Sequence, residues 1–398
     1  MSAADIAFDP HDPRFASEGV PFDKLARIRC EAPVFRTPAG AWYLSRFDDV
    51  AAALTDVDTF RADLGPITGL PGGVETIPAE QHYLSEIEEP RHKAIRRLLT
   101  AAMSSARLRQ IEPLIAAECH RLIDAMLASR PANLHDDYAM AIPAFAMARI
   151  MALDEAAAQA FMVWSWDGTL MQRPATPGVP PGGPASHIFF RDYLAQQRAM
   201  ATPSNDLMAL MLAAEVEGAP LSDAEIITQL HFLIQAGVHT TRSLLAHLVN
   251  RLVQDAALWA TLQADRALVP TFVEESLRRD SPVQRTTRRC VRETNIRGIT
   301  LPAGAWVEMG IGSANHDEAV FDEGRDFRLD RAEPRRHLAF GAGSHVCPGA
   351  ALARMEAQVA VTALLDRLER MEPVAGATYP PLPGSLGHQP IPAILVAR

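Results

Sequence analysis

Cysteine is scarce in this chain. Of 398 residues only Cys30, Cys119, Cys290 and Cys347 are cysteine, and no two stand close enough for a C-x-x-C pair. A zinc ribbon, a thioredoxin-type redox site and covalent haem attachment are therefore not expected. Scattered thiols in a long chain suit a reducing cytoplasm, where we expect the protein to reside. An excess of basic residues is also missing. Lys+Arg number 38 against 48 Asp+Glu, a net charge of -10, so nucleic acid is not expected as the main partner. Long apolar runs are absent too. The longest, Met140 to Leu153, is broken by Pro143 and Arg149. At roughly 14 residues it falls short of the about 20 that span a bilayer, so no membrane segment is expected. The first residues, Met1 to Pro10, carry two aspartates and no apolar run, and are not expected to act as a signal peptide.

What is present is apolar content, 48% of the chain with 22% charged, enough for a large core and too much for disorder. No repeat occurs. The one biased segment, Pro174 to Pro184, holds five prolines and three glycines; a domain linker is one reading, and a long loop between helices is the favoured one. Charge and apolar content do not change across it, so one domain over 1–398 is expected.

Helical periodicity dominates. Helices are expected at Asp48–Leu54, Pro90–Ser104, Leu108–Ser129, Asp154–Trp166, Phe190–Met200, Ser204–Ala214, Ala256–Gln263 and Val269–Arg279. The longest, Ser222–Gln254, opens on the capping box Ser222-Asp223-Ala224-Glu225. Its apolar residues cover more than one stripe, which places it in the middle of a domain. Strands are few. Val34–Arg36 and Trp42–Leu44 flank a turn at Thr37 to Gly40, and a second hairpin is expected between Ile296–Leu301 and Trp306–Met309 around Pro302-Ala303-Gly304. The fold class is mainly α with a small β region.

One stretch carries chemistry. Phe340-Gly341-Ala342-Gly343-Ser344-His345-Val346-Cys347-Pro348-Gly349 is a glycine loop with one cysteine, opening a helix expected to reach about Arg370. A thiolate at a helix N-terminus meets unpaired N–H groups and the positive end of the dipole, as an ionised metal ligand requires.

This loop resembles the haem-ligand signature of the cytochrome P450 monooxygenases, F-G-x-G-x-H-x-C-x-G followed by L-A-R. Phe340, Gly341, Gly343, His345, Cys347, Gly349 and Arg354 match it. Four further segments extend the resemblance over most of the chain. Glu275-Ser276-Leu277-Arg278 is similar to the family's E-x-x-R ion pair, with Arg331 the best placed arginine to complete a triad. His92 to Arg96 is similar to the H-x-x-x-R that meets haem propionates. Ser281 to Arg288 resembles the segment whose arginine does the same. Ala236-Gly237-Val238-His239-Thr240-Thr241 resembles the central-helix motif A-G-x-[D/E]-T-T.

The resemblance implies a P450 fold, with a long central helix and the cysteine loop before the last long helix. It also implies haem b held through Cys347 as the metal ligand. His92, Arg96, Arg288 and His345 would hold the propionates, and Ala236, Thr240, Phe340, Gly341 and Gly349 would frame the ring. Gly237 is expected to leave room for dioxygen, and Thr240 to pass protons. His239 stands where the family usually has a carboxylate. With an ordinary imidazole it would titrate near neutrality and could relay protons. Arg61 to Tyr83, the Pro174–Pro184 loop, Leu233, Ala236, Val283 and Ser385-Leu386-Gly387 are expected to line a site for a hydrophobic small molecule. A ferredoxin or flavodoxin-type protein would supply electrons to a monomer. It would dock on a face made basic by Arg96, Arg97, Arg335, Arg336 and Arg354. Two other readings of the same fold are a catalytically silent recruitment domain and a peroxide-driven enzyme.

Overall fold

The computed structural model describes residues 8–65, 73–128, 131–165, 185–199, 207–379 and 390–398. Segments 174–184 and 385–387 lie outside the described residues.

The central helix, Asp223–Gln254, organises the molecule. Ser222 caps it: its hydroxyl accepts from the Glu225 N–H at 3.2 Å, and the Glu225 carboxylate accepts from the Ser222 N–H at 3.0 Å. Ile226, Leu230, Leu233, Ile234, Leu244, Leu245 and Leu248 are all buried. Apolar groups on several sides demand partners on several sides. The helices Ala141–Ile150, Ala185–Ala199 and Ala350–Arg367 supply them. Ala141–Ile150 was not foreseen as an element. It occupies the apolar run from Met140, and its alanines let it lie close to the central helix. Ser105–Ala128 packs along Ala350–Arg367 and closes the helical core. No helix among the described residues is long and apolar enough to cross a membrane.

The strands form a small region at one edge. A five-stranded sheet runs in the order Val34–Arg36, Trp42–Leu44, Trp306–Met309, Thr286–Cys290, Phe60–Arg61. The first hairpin forms as expected, with Phe35 opposite Tyr43. The second does not. Ile299–Leu301 instead pairs with Thr294–Ile296 around Arg297 and Gly298, both in the left-handed region. Trp306–Met309 runs parallel to Trp42–Leu44 and antiparallel to Thr286–Cys290. The tighter turn wins locally, and Val307 and Met309 gain full burial by pairing with distant strands. The cysteine helix also ends earlier than expected, at Arg367, where the chain turns into the strand Leu368–Pro373.

Candidate active site

The cysteine loop is shaped by its glycines. Gly341 and Gly343 have φ of 74° and 72°. A Cβ on Gly343 would lie 2.8 Å from the Leu54 carbonyl oxygen, so backbone crowding as well as φ requires glycine there. The Cys347 N–H donates to the Phe340 carbonyl at 2.8 Å and holds the loop closed. Loss of water pushes the Cys347 thiol up, against the Gly349 N–H and the charges of Arg96 and Arg354. Arg354 lies over the Phe340 ring at 4.5 Å.

Cys347 borders a cavity of about 1090 Å³, and most of the predicted site residues meet there: His92, Arg96, Ala236, Gly237, Thr240, Arg288, Phe340, Gly341, His345 and Gly349. The cations on its wall form a cradle. The His92 and His345 rings lie 4.4 Å apart. Glu89 holds Nδ1 of His92 at 3.0 Å, and Glu88 lies 3.4 Å from Nε2 of His345. The other nitrogen of each ring is buried with no hydrogen bond. Arg288 donates to the Thr286 hydroxyl at 3.2 Å and the Thr287 carbonyl at 2.9 Å, with no carboxylate paired to it among the described residues. Burial pulls its pKa down. Arg96 likewise has no ion pair there. Two orphaned imidazole nitrogens and two unmatched guanidinium groups on one wall call for anionic oxygens from a bound group. Glu88 and Glu89 escaped the sequence reading. Their only signal was two acids directly before Pro90-Arg91-His92.

On the central helix, Thr240 donates to the Ala236 carbonyl at 2.6 Å, the bond to the preceding turn that a helical threonine commonly makes. One expectation gains a second reason and one needs correction. Gly237 borders the cavity, but a Cβ there would meet Sδ of Met147 at 2.8 Å. The missing side chain also makes room for the helix Ala141–Ile150. His239 does not border the cavity. Both its nitrogens are buried without a hydrogen bond, and burial together with Arg242 pushes its pKa down to about 4. It is a neutral imidazole near neutrality, not one that titrates there.

Beyond the cavity, Arg278 holds Glu275 through two bonds of 2.8 Å, both side chains fully buried. Arg331 donates to both Glu275 oxygens at 3.0 Å and completes a triad. Arg328 turns instead to Asp330 and Glu323.

The cytochrome P450 family profile matches residues 188–394. "Putative cytochrome P450 123" of Mycobacterium tuberculosis is 30% identical over 376 residues, 92% of this chain and 91% of its own length. The chain belongs to the cytochrome P450 family. A "Steroid C26-monooxygenase" of Mycolicibacterium smegmatis is 28% identical, covering 96% of this P450 and 94% of that protein. The solved cytochrome P450 CYP109Q5 from Chondromyces apiculatus superposes with a TM-score of 0.83 at 28% identity, covering 99% of both chains. The family is one of haem b monooxygenases, so this P450 is an oxidoreductase with the P450 fold. The thiol loop, the cation cradle and the apolar wall of the cavity fit that cofactor.

Of the expected substrate region, Ala62, Gly65, Val74, Leu233, Ala236 and Val283 border the cavity, and Arg61 is tied to Asp63 at 2.5 Å. Met103, Met147, Phe232 and Leu244 also line it and were missed, because a core position and a cavity wall look alike in sequence. The expected basic face is largely neutralised. Arg354 pairs with Glu274 at 2.6 Å, Arg335 reaches the same carboxylate at 3.5 Å, and Arg336 meets Glu333 at 3.1 Å. Arg96 borders the cavity, which leaves Arg97 exposed and without an ion pair among the described residues.

Proposed function

We propose that this P450 inserts one oxygen atom into an apolar small molecule, by hydroxylation or epoxidation. As a single-domain monomer it would take electrons from a ferredoxin or flavodoxin-type protein. The observation that carries this reading is one cavity bordered by a lone thiol, an unmatched cation cradle and Thr240. Haem b bound there supplies dioxygen activation, and thiolate ligation favours O–O cleavage.

The protein's own residues have distinct tasks. Cys347 holds the iron, with the Gly349 N–H and the nearby Arg96 and Arg354 favouring the thiolate. His92, Arg96, Arg288 and His345 hold the two carboxylates, and Phe340, Gly341, Gly349 and Ala236 frame the ring. Thr240 holds a proton at Oγ1. Its bond to the Ala236 carbonyl orients the hydroxyl, and a turn about χ1 would present that proton to the cavity. Leu233, Phe232, Val283 and Met147 exclude water and favour an apolar substrate. The similarity to a steroid C26-monooxygenase supports a steroid-like or terpenoid-like molecule.

The purified protein should hold one non-covalent haem whose reduced carbonyl complex absorbs as thiolate-ligated haems do. Cys347→Ser should lose that band, and retention of it would reject Cys347 as ligand. Product formed with a surrogate ferredoxin system and dioxygen, and not with peroxide alone, would support the reductase-dependent reaction.

A further inference from the structure

The same cavity carries a polar group that the proposed reaction does not use. Where the segment from Phe8 to Pro21 crosses the five-stranded sheet, the cavity wall includes Phe8, Phe15, Tyr43, His11, Arg285 and Glu308. Glu308 lies on Trp306–Met309, opposite Tyr43 and Thr287 on the neighbouring strands, and its side chain is only 5% exposed.

One of its oxygens is spoken for. Oε1 lies 2.6 Å from Nε2 of His11, and Arg285 Nη2 lies 2.8 Å from Nδ1 of the same ring. A guanidinium can only donate, so Nδ1 must accept, and the proton of the ring sits on Nε2, facing Glu308. The trio is then one carboxylate, one neutral imidazole and one guanidinium, with no net charge. The second oxygen, Oε2, is buried and has no hydrogen bond. Its nearest cation, Arg285 Nε, stands 3.7 Å away, beyond hydrogen-bond reach. A buried carboxylate oxygen without a donor is costly. In a net-neutral cluster the missing partner is a neutral donor, not an ammonium.

We infer that Glu308 Oε2 is a recognition point for a hydroxyl group on an otherwise apolar substrate. The hydroxyl donates to Oε2, the apolar body lies along Phe8, Phe15 and Tyr43, and the molecule is held by its polar end. This rests on the reading that the cavity takes apolar substrates. It adds a preference for alcohols over the matching ketones, since a ketone cannot donate.

Calorimetric titration of the haem-loaded protein with three alcohol and ketone pairs of different size tests this: cholestanol and cholestanone, menthol and menthone, and decanol and decanone with the oxygen on the second carbon. For at least one pair the alcohol should bind about 10-fold to 100-fold more tightly, as expected for a hydrogen bond to a charged group. Glu308→Gln should reverse the preference. The amide oxygen will stay with the His11 donor and the NH₂ will face the cavity, where it suits a ketone. If that variant does not fold, Glu308→Asp, which withdraws the oxygen by one methylene, should abolish the preference. The inference is overturned by a parent that prefers no alcohol or binds no member of any pair. It is equally overturned if Glu308→Gln keeps the parental ratio and only lowers the denaturation midpoint, because the trio is then a pin for the N-terminal segment and nothing more. The reduced carbonyl spectrum of the same samples reports separately on the thiolate reading. An alcohol preference without the thiolate band would reject that reading and keep this one.

Discussion

At the scale of single residues, His239 shows how surroundings override residue type. Burial and the adjacent Arg242 hold it neutral down to about pH 4. Burial and the arginines Arg278, Arg279 and Arg29 do the same to His316, whose Nε2 lies 2.7 Å from the Arg279 carbonyl. The sign follows directly. Below an ordinary histidine value of about 6.5 the unfolded chain takes up protons that the folded chain refuses, so stability falls as pH drops towards 4. His239 alone can account for up to about 3 kcal/mol of that loss. Urea midpoints of the parent should fall between about pH 7 and pH 5, and His239→Leu should flatten that fall. Near neutrality the residue carries no charge to lose. The product formed per electron should therefore run in parallel with pH for parent and variant between about pH 6 and 8, as assayed by product and peroxide yields.

At the scale of elements, two contacts decide how the helices sit. Gly237 lets Met147 approach the central helix, with its sulfur 2.8 Å from where a Cβ would be. Gly237→Ala should cost about 1–3 kcal/mol through overpacking. Met147→Ala should cost about 2–5 kcal/mol through a cavity. The double variant should lose less than the sum, since each change relieves the other, and a denaturation cycle measures the difference. The second contact is the buried triad. Arg278 also donates to the carbonyls of Asn315, Gly324 and Asp326, so it ties the Val269–Arg279 helix to the segment that precedes the cysteine loop. Arg278→Ala leaves the buried Glu275 to Arg331 and strips Arg278's bonds to three backbone carbonyls as well, and should cost about 3–5 kcal/mol. Arg331→Ala leaves the two Arg278 bonds intact and should cost about 1–3 kcal/mol. Haem content and denaturation midpoints of the two variants should rank in that order.

At the scale of the whole molecule, charge is spread unevenly but largely matched. The net charge is -10, and most arginines around the cysteine helix already face carboxylates. A small acidic electron donor would meet Arg97 and Lys93, one turn apart on the helix Arg91–Ala101, both exposed and without an ion pair among the described residues. Stopped-flow reduction by such a donor should slow only mildly with salt, because a pair of unmatched charges steers weakly. Arg97→Glu should slow it further at low ionic strength and leave little difference at high salt. An unchanged rate at low salt would place the docking surface elsewhere.

What is local could be read directly from the order of the residues. Ser222 and Glu225 cap the central helix because both partners lie within one turn. The cysteine loop is legible because Gly341, Gly343 and Cys347 serve a backbone path only a few residues long. The triad could be guessed because Glu275 and Arg278 share one helix face, and Arg331 then had few competitors. The rest was settled by how distant segments pack in three dimensions. It paired Trp306–Met309 with Thr286–Cys290 instead of the nearer strand, and turned Gly237 towards Met147. It also set His11 against Glu308 across 297 positions of chain. Pattern and spacing carry no record of such meetings. They arise when separate apolar faces must bury one another, and each then brings along whatever polar groups it carries.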